Sequence, residues 1–303
     1  MGMIESMTYS IVASDPATGC LGVAVQSGVL AIGTRVPAAR AGVGAVVAQA
    51  GSELWWRTTL LDLVASGMTA EGAVAALATQ PGVAEAQFAV VDATGGVAAF
   101  TGPDCIPRAG HALGDGVAVQ ANMMASDAVW PAMLAAYESA SGGLPERLVA
   151  ALAAAEREGG DVRGPQSAAL LVVGPARGAL SNGEWDDPVF DLRVDDSRDP
   201  VGDLSRLVRV ARAHRNLIRS ATPGVSEDDA VSALRAAAEG APDDPSALRS
   251  AGIGLAVRGR PAEAFPLLER AFALEPLAER WARAAAVRAG DAGAALLSWL
   301  DAR

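Results

Sequence analysis

The chain has 303 residues, a formal net charge of −11 and an apolar fraction of 51%. That length suits one large domain plus a small one, and the apolar fraction supports a well-buried core. All 24 basic residues are arginine, which excludes a Schiff-base lysine, a pyridoxal phosphate anchor and a P-loop lysine; so acidic a chain is also a poor candidate for nucleic-acid binding.

No run approaches the ~18 uninterrupted apolar residues of a membrane helix. The start, Met1-Gly2-Met3-Ile4-Glu5-Ser6, has neither a basic region nor an apolar core and does not read as a signal peptide. Gly2 and Ser6 fit the myristoylation pattern, a short pattern that chance readily meets. Residues 1–7 are expected to be a leader or a misassigned start. Cys20 and Cys105 make no disulfide framework, so a cytoplasmic protein is expected. His111 and His214 are the only histidines, and no metal-ligand spacing appears, so no metal or cofactor is expected.

The first element is the strand-like run Thr8-Tyr9-Ser10-Ile11-Val12-Ala13, directly behind Met7. If the chain is cut after Met7, Thr8 carries a hydroxyl nucleophile and an α-amine on one residue. A free α-amine has a pKa near ~8, so part of it is neutral and can take the hydroxyl proton. Threonine is equally an ordinary first residue of a strand. The turn Asp15-Pro16-Ala17-Thr18-Gly19 leads into a second apolar run, 21–27, and the pair reads as a β-hairpin. That hairpin brings Thr8 and Ser27 to the same end of two antiparallel strands, where Ser27 could orient the nucleophile.

Further strands are expected at 44–49, 86–92, 96–101, 116–122, 167–173 and 188–194, and helices at 53–66, 69–79, 127–140, 144–158 and 200–219. Strands in succession and helices in pairs predict two packed sheets covered by helices, not a βαβ dinucleotide fold. In "CIPRAGH", Cys105 and His111 could form a rival Cys–His nucleophile pair, or be a loop cysteine and a satisfied histidine; of the functional readings, His111 as a pocket residue is favoured over Cys105 as nucleophile. Asn122 ends a strand, where its amide could donate to an oxyanion or cap a turn. Asp161, Arg163, Gln166 and Ser167 lie in a loop with Gly159, Gly160, Gly164 and Pro165. Arg163 could take a substrate carboxylate in a bidentate pair, or pair with Asp161. Asp191, Arg193 and Asp195 would share one strand face, either at the Thr8 end or on a solvated edge. Arg206, Arg209, Arg212, Arg215 and Arg219 form a helical stripe that reads as a solvated face.

Ala221-Thr222-Pro223-Gly224-Val225 looks like a linker, and the chain beyond it is helical throughout. Pro242 and Pro276, Ala230 and Ala264, and Leu234 and Leu268 each lie 34 residues apart, the period of tetratricopeptide (TPR) repeats. A TPR-like segment of 226–303 follows, with a peptide-binding groove as its sharper reading.

Six blocks resemble the DUF1028 family, an Ntn-hydrolase-like family: "TYSIVASDPATGCLGVAVQS" (8–27), "ARAGVGAVVAQA" (39–50), "VVDATGGVAAFTGPDCIPRAGH" (90–111), "GVAVQANMMA" (116–125), "GGDVRGPQSAALLVV" (159–173) and "DLRVDD" (191–196). The resemblance implies a four-layer αββα sandwich over 8–219, with 220–225 as the linker. The chain departs from the family pattern at Ser52-Glu53-Leu54-Trp55-Trp56, where members carry a Tyr/Asn/Pro/Gly-rich stretch.

Together these readings predict an N-terminal-threonine amidohydrolase acting on a small amide or urea-like C–N bond. Thr8, Ser27 and Asn122 would be catalytic, with His111, Asp161, Arg163, Gln166, Ser167 and Asp191 around the substrate. The alternative is a non-catalytic Ntn-fold scaffold that binds a protein partner through the C-terminal helices. A homodimer is a further expectation.

Overall fold

The computed structural model describes residues 8–176 and 189–303. The chain divides into two compact units, one up to Arg206 and one from Leu207. It is a mixed α/β protein with two antiparallel sheets and, among the described residues, ten α-helices.

The first unit begins with the hairpin of β1 (Thr8–Asp15) and β2 (Cys20–Ser27), paired antiparallel with Thr8 opposite Ser27. Asp15 fixes its turn: its carboxylate accepts from the Ala17 amide and the Thr18 hydroxyl, while its carbonyl accepts from Gly19 N at 2.7 Å. Gly19 has φ 69°, and a Cβ there would lie 2.8 Å from Pro175 Cβ, so both backbone and space require glycine.

The other strands are β3 (Pro37–Arg40), β4 (Gly44–Ala50), β5 (Ala86–Asp92), β6 (Val97–Thr101), β7 (Gly110–Gly114), β8 (Val117–Asn122), β9 (Ser167–Val173) and β10 (Phe190–Val194). One sheet has the order β10-β9-β2-β1-β8-β7 and the other β3-β4-β5-β6. The period-2 alternation of each strand assigns its faces. Val12, Val23, Val25, Val47, Ala89, Val91 and Ala118 form a buried core where β1, β2 and β8 meet β4 and β5. The intervening residues Val46, Phe88 and Val90 pack instead with Trp56, Leu60, Ala73 and Leu77. These come from α1 (Trp56–Ala65) and α2 (Ala70–Leu77). Helices α3 (Val129–Ser139) and α4 (Leu144–Arg157) cover the other face of the six-stranded sheet. A Cβ on Gly22 would come within 2.7 Å of Leu148, so that glycine lets α4 sit close on β2.

The anticipated strands and helices of the described region form within a few residues of their expected bounds. Two strands lacked a readable pattern. β3 is four residues long and starts on Pro37, and β7 is bracketed by two glycines; both are sheet edges, where short, weakly apolar strands are tolerated. The acidic stretch Glu184-Trp185-Asp186-Asp187 and Met7 lie outside the described residues.

Helix α5 (Pro200–Ala221) carries the five arginines of its stripe on its exposed surface. The second unit continues with α6 (Glu227–Gly240), α7 (Pro245–Ala256), α8 (Pro261–Leu274), α9 (Ala278–Arg288) and α10 (Ala294–Asp301). Ser226 and Asp244 cap α6 and α7 by accepting from the amides three residues on, as helix starts require. Helices α6 and α8 begin and end 34 residues apart (227 and 261, 240 and 274). Leu234, Leu248, Leu255, Leu268 and Phe272 share one apolar core with Leu296 and Leu300. No helix among the described residues is long and apolar enough to cross a membrane.

Candidate functional site

Thr8 sits between β2 and β8, opposite Ser27 on one side and Asn122 on the other, and all three are buried. Alternation turns Thr8 and Ser10 toward the four-stranded sheet and Tyr9 toward α4. Thr8 Oγ1 donates to Ser27 Oγ at 3.2 Å, and Arg163 Nη2 donates to that same serine oxygen at 3.5 Å. The Thr8 carbonyl oxygen accepts from two side-chain amides: Gln49 Nε2 at 3.1 Å and Asn122 Nδ2 at 3.2 Å. The expected placement of Asn122 at a strand end holds, but its second contact is Gln87 Oε1 at 3.2 Å. An amide with two hydrogens and two such acceptors is engaged in holding Thr8 rather than aimed at an oxyanion.

The 159–167 loop reaches Thr8 through Ser27. Asp161 is buried and takes four bonds: from Gly28 N at 2.7 Å, Arg163 N at 2.9 Å, Arg163 Nε at 3.2 Å and Arg163 Nη2 at 3.0 Å. The Arg163 fork therefore grips Asp161, and that edge of the guanidinium does not face a substrate carboxylate. Ser167 Oγ donates to the Val29 carbonyl at 2.5 Å and accepts from Ile32 N at 3.0 Å, which pins the segment after β2. Gln166 Nε2 reaches out to Asp196 at 3.1 Å.

Asp191 stands apart from this cluster. It lies on the edge strand β10, opposite Leu171, with β9 and β2 between it and β1. It is exposed and 3.9 Å from Arg193, so the solvated-edge reading holds. Strand order, which short-range pattern does not specify, separates it from Thr8. The Cys–His pair also dissolves. Cys105 Sγ donates to the Ala86 carbonyl at 3.4 Å, while His111 Nδ1 lies 2.8 Å from Thr101 Oγ1. Burial, with Asp104 and Glu85 nearby, raises the Cys105 thiol above its ordinary pKa, the opposite of an activated nucleophile. Desolvation lowers His111 although much of its surface is exposed.

Several polar residues at this end were not anticipated. Ser10, Gln49, Gln87 and Gln120 are all buried in the two sheets. The available signal was a glutamine interrupting an apolar strand, as in "GAVVAQA" and "VAVQAN", since buried glutamine is uncommon. On the helix side, Tyr9 donates a short hydrogen bond from its hydroxyl to Glu156. Burial raises the Glu156 carboxyl pKa, and Asp161 and Asp199 push the same way against the Tyr9 bond. Backbone strain concentrates here too. Ala50 (φ 59°) follows Gln49 and Met123 (φ 57°) follows Asn122, while Ala31 (φ 54°) lies in the segment pinned by Ser167. Non-glycine residues in this region cost about 1–3 kcal/mol each and gather where a site is built.

The chain belongs to the DUF1028 family, a family of unknown function, whose model matches residues 8–204. It is also similar to the crystal structure of a Silicibacter pomeroyi protein of that family: 31% identity, TM-score 0.60, covering 67% of this chain and 88% of the other. No curated protein matches it.

Proposed function

We propose that this chain is an Ntn-type amidohydrolase whose nucleophile is Thr8, released as the first residue by loss of residues 1–7. The observation that carries the reading is the hydroxyl pair at the head of β1, Thr8 Oγ1 to Ser27 Oγ at 3.2 Å, with the Thr8 carbonyl held by two amides. Two packed antiparallel sheets with helix pairs on their outer faces support an Ntn-hydrolase-like sandwich over 8–219, although fold alone does not fix activity.

In this mechanism the α-amine of Thr8 takes the hydroxyl proton as Oγ1 attacks the carbonyl carbon of a small amide or urea-like substrate. The C–N bond breaks, the leaving nitrogen takes that proton, and the acyl group stays on Oγ1 as an ester. Water, activated by the same amine, hydrolyses the ester and restores the hydroxyl. Ser27 orients the attacking oxygen, and Arg163, steadied by Asp161, polarises Ser27 from the other side. Asn122 and Gln49 hold the residue, and no cofactor enters these steps.

The test compares chains beginning at Met1 and at Thr8, with intact mass to verify each terminus and a panel of small amides and ureas as substrates. Turnover and a mass-trapped acyl adduct on Thr8, confined to the shorter chain, are the expected result. Equal turnover by a verified Met1 chain would overturn the free-amine mechanism.

A scaffold role is the second reading, favoured by the 34-residue offset of α6 and α8 and the burial of Ala230, Leu234, Ala264 and Leu268 at matching positions. These features support a TPR-like segment over 226–303. On that reading neither chain turns over any substrate, and the helices bind a protein.

A further inference from the structure

The Thr8 carbonyl is held by an arrangement that reaches across the gap between the sheets. Gln49 Nε2 donates to Thr8 O at 3.1 Å and to Gln87 Oε1 at 2.7 Å. Asn122 Nδ2 donates to the same two oxygens, each at 3.2 Å. Two amide groups thus bridge two acceptors, and all four amide hydrogens are used. The far end of Gln87 is fixed as firmly: its Nε2 faces Thr101 Oγ1 at 3.0 Å, the Ala121 carbonyl at 3.0 Å and the Gly110 carbonyl at 3.1 Å. A flipped Gln87 would present its oxygen to the Ala121 and Gly110 carbonyls and its nitrogen to two donors, so only one orientation satisfies the network. Gln49 is oriented in turn, because its Oε1 accepts from Ser10 Oγ at 2.6 Å, and Ser10 accepts from Gln120 Nε2 at 2.6 Å.

The outer end of the chain is His111. Thr101 Oγ1 accepts from Gln87 and lies 2.8 Å from His111 Nδ1, so the imidazole joins the same network.

We infer that Gln87, in the opposite sheet and touching no reacting atom, is a positioning residue that aims the Gln49 and Asn122 amides at the Thr8 carbonyl. Holding that carbonyl fixes the backbone of residue 8, and with it the direction of Oγ1 toward Ser27. Pre-set geometry of this kind is what an attacking group needs. The inference deepens the hydrolase reading and rests on it for its catalytic part, but its structural part stands alone.

The sequence supplies a direct probe. The chain has two tyrosines, and only Tyr9 follows a threonine, since Ala136 precedes Tyr137. Labelling with carbonyl-¹³C threonine and ¹⁵N tyrosine therefore yields one carbonyl–nitrogen correlation, that of the Thr8 carbonyl. In Gln87→Met, similar in volume but without the amide, this resonance moves upfield as the donors lose their alignment. In Gln87→Glu it stays near its native position, because a buried carboxyl remains protonated and offers one acceptor and one donor in the same shape. On chains beginning at Thr8, Gln87→Met lowers kcat about tenfold, the loss of roughly one hydrogen bond's alignment, with KM unchanged; Gln87→Glu restores it. If Gln87→Met does not fold, Gln87→Asn, which withdraws the same amide by one methylene, serves instead. An unmoved carbonyl in either folded variant overturns the inference. A moved carbonyl with no turnover in any chain, parent included, sinks the hydrolase reading and leaves the clamp standing.

Discussion

Thr8 and Ser27 are cross-strand partners whose hydroxyl oxygens lie 3.2 Å apart at the end of the β1–β2 hairpin. Their separation in sequence is only 19 residues, so a local hairpin suffices to bring them together. In a chain beginning at Thr8, Thr8→Ala is predicted to abolish amide turnover and Thr8→Ser to retain part of it. Ser27→Ala should cost somewhat less than tenfold in kcat, since one hydrogen bond contributes about 1 kcal/mol net. Ammonia or amine release from the amide panel measures all three. Parental rates in Thr8→Ala would remove Thr8 as the nucleophile.

Asp161 is the buried anchor of the loop beside this pair, with a side chain wholly shielded from solvent and an Arg163 side chain that is 31% exposed. Asp161→Ala removes the acceptor of three Arg163 bonds and of the Gly28 amide at once. Removing one partner of a buried pair typically costs about 3–5 kcal/mol, and the lower end applies because Arg163 can still reach water. Urea unfolding of the parent and variant tests this, and a difference below about 1 kcal/mol would contradict it.

Cys105 is predicted to be inert. Burial raises its thiol, so little thiolate forms at neutral pH and alkylation by iodoacetamide should be slow against a free thiol. Cys105→Ala should leave turnover of a Thr8-initiated chain unchanged. Loss of turnover in that variant alone would restore the Cys–His mechanism.

Glu156 makes stability depend on pH. Its folded carboxyl is raised, chiefly by burial, above an unfolded value near ~4.3. The folded state therefore holds the proton more tightly. That stabilisation is complete below the unfolded pKa and is lost as pH rises through the folded one. Glu156→Gln keeps the acceptor for Tyr9 but does not titrate, so its stability relative to the parent should rise as pH climbs above the unfolded carboxyl value of ~4.3. Denaturant unfolding at several pH values reads the difference, and a pH-independent offset would mean that Glu156 ionises as it does in the unfolded chain.

The legible and illegible parts of the site divide by distance along the chain. Apolar alternation and turn chemistry act over a few residues, and they sufficed for eight of the ten described strands, the helix pairs and the Thr8–Ser27 meeting. The carbonyl clamp joins Thr8 to residues 41 and 114 positions away, and Asp161 reaches Gly28 across 133. No local pattern encodes such contacts. Arg163 shows the same limit differently: its nearness to the site followed from the loop, but its commitment to Asp161 followed only from packing.

The amino-acid sequence by itself determined the long strands and the helices of the first unit, the hairpin at the head of the chain and the 34-residue recurrence in the C-terminal helices, because periodicity and turn preference are properties of neighbouring residues; the short edge strands β3 and β7 carried no such pattern. Only the tertiary structure decided that Gln49 and Gln87 complete the site from the other sheet, that Cys105 and His111 face different partners, and that Asp191 stands three strands from Thr8. Those outcomes depend on strand order and on the facing of two sheets, where burial favours polar groups that find partners far away in sequence.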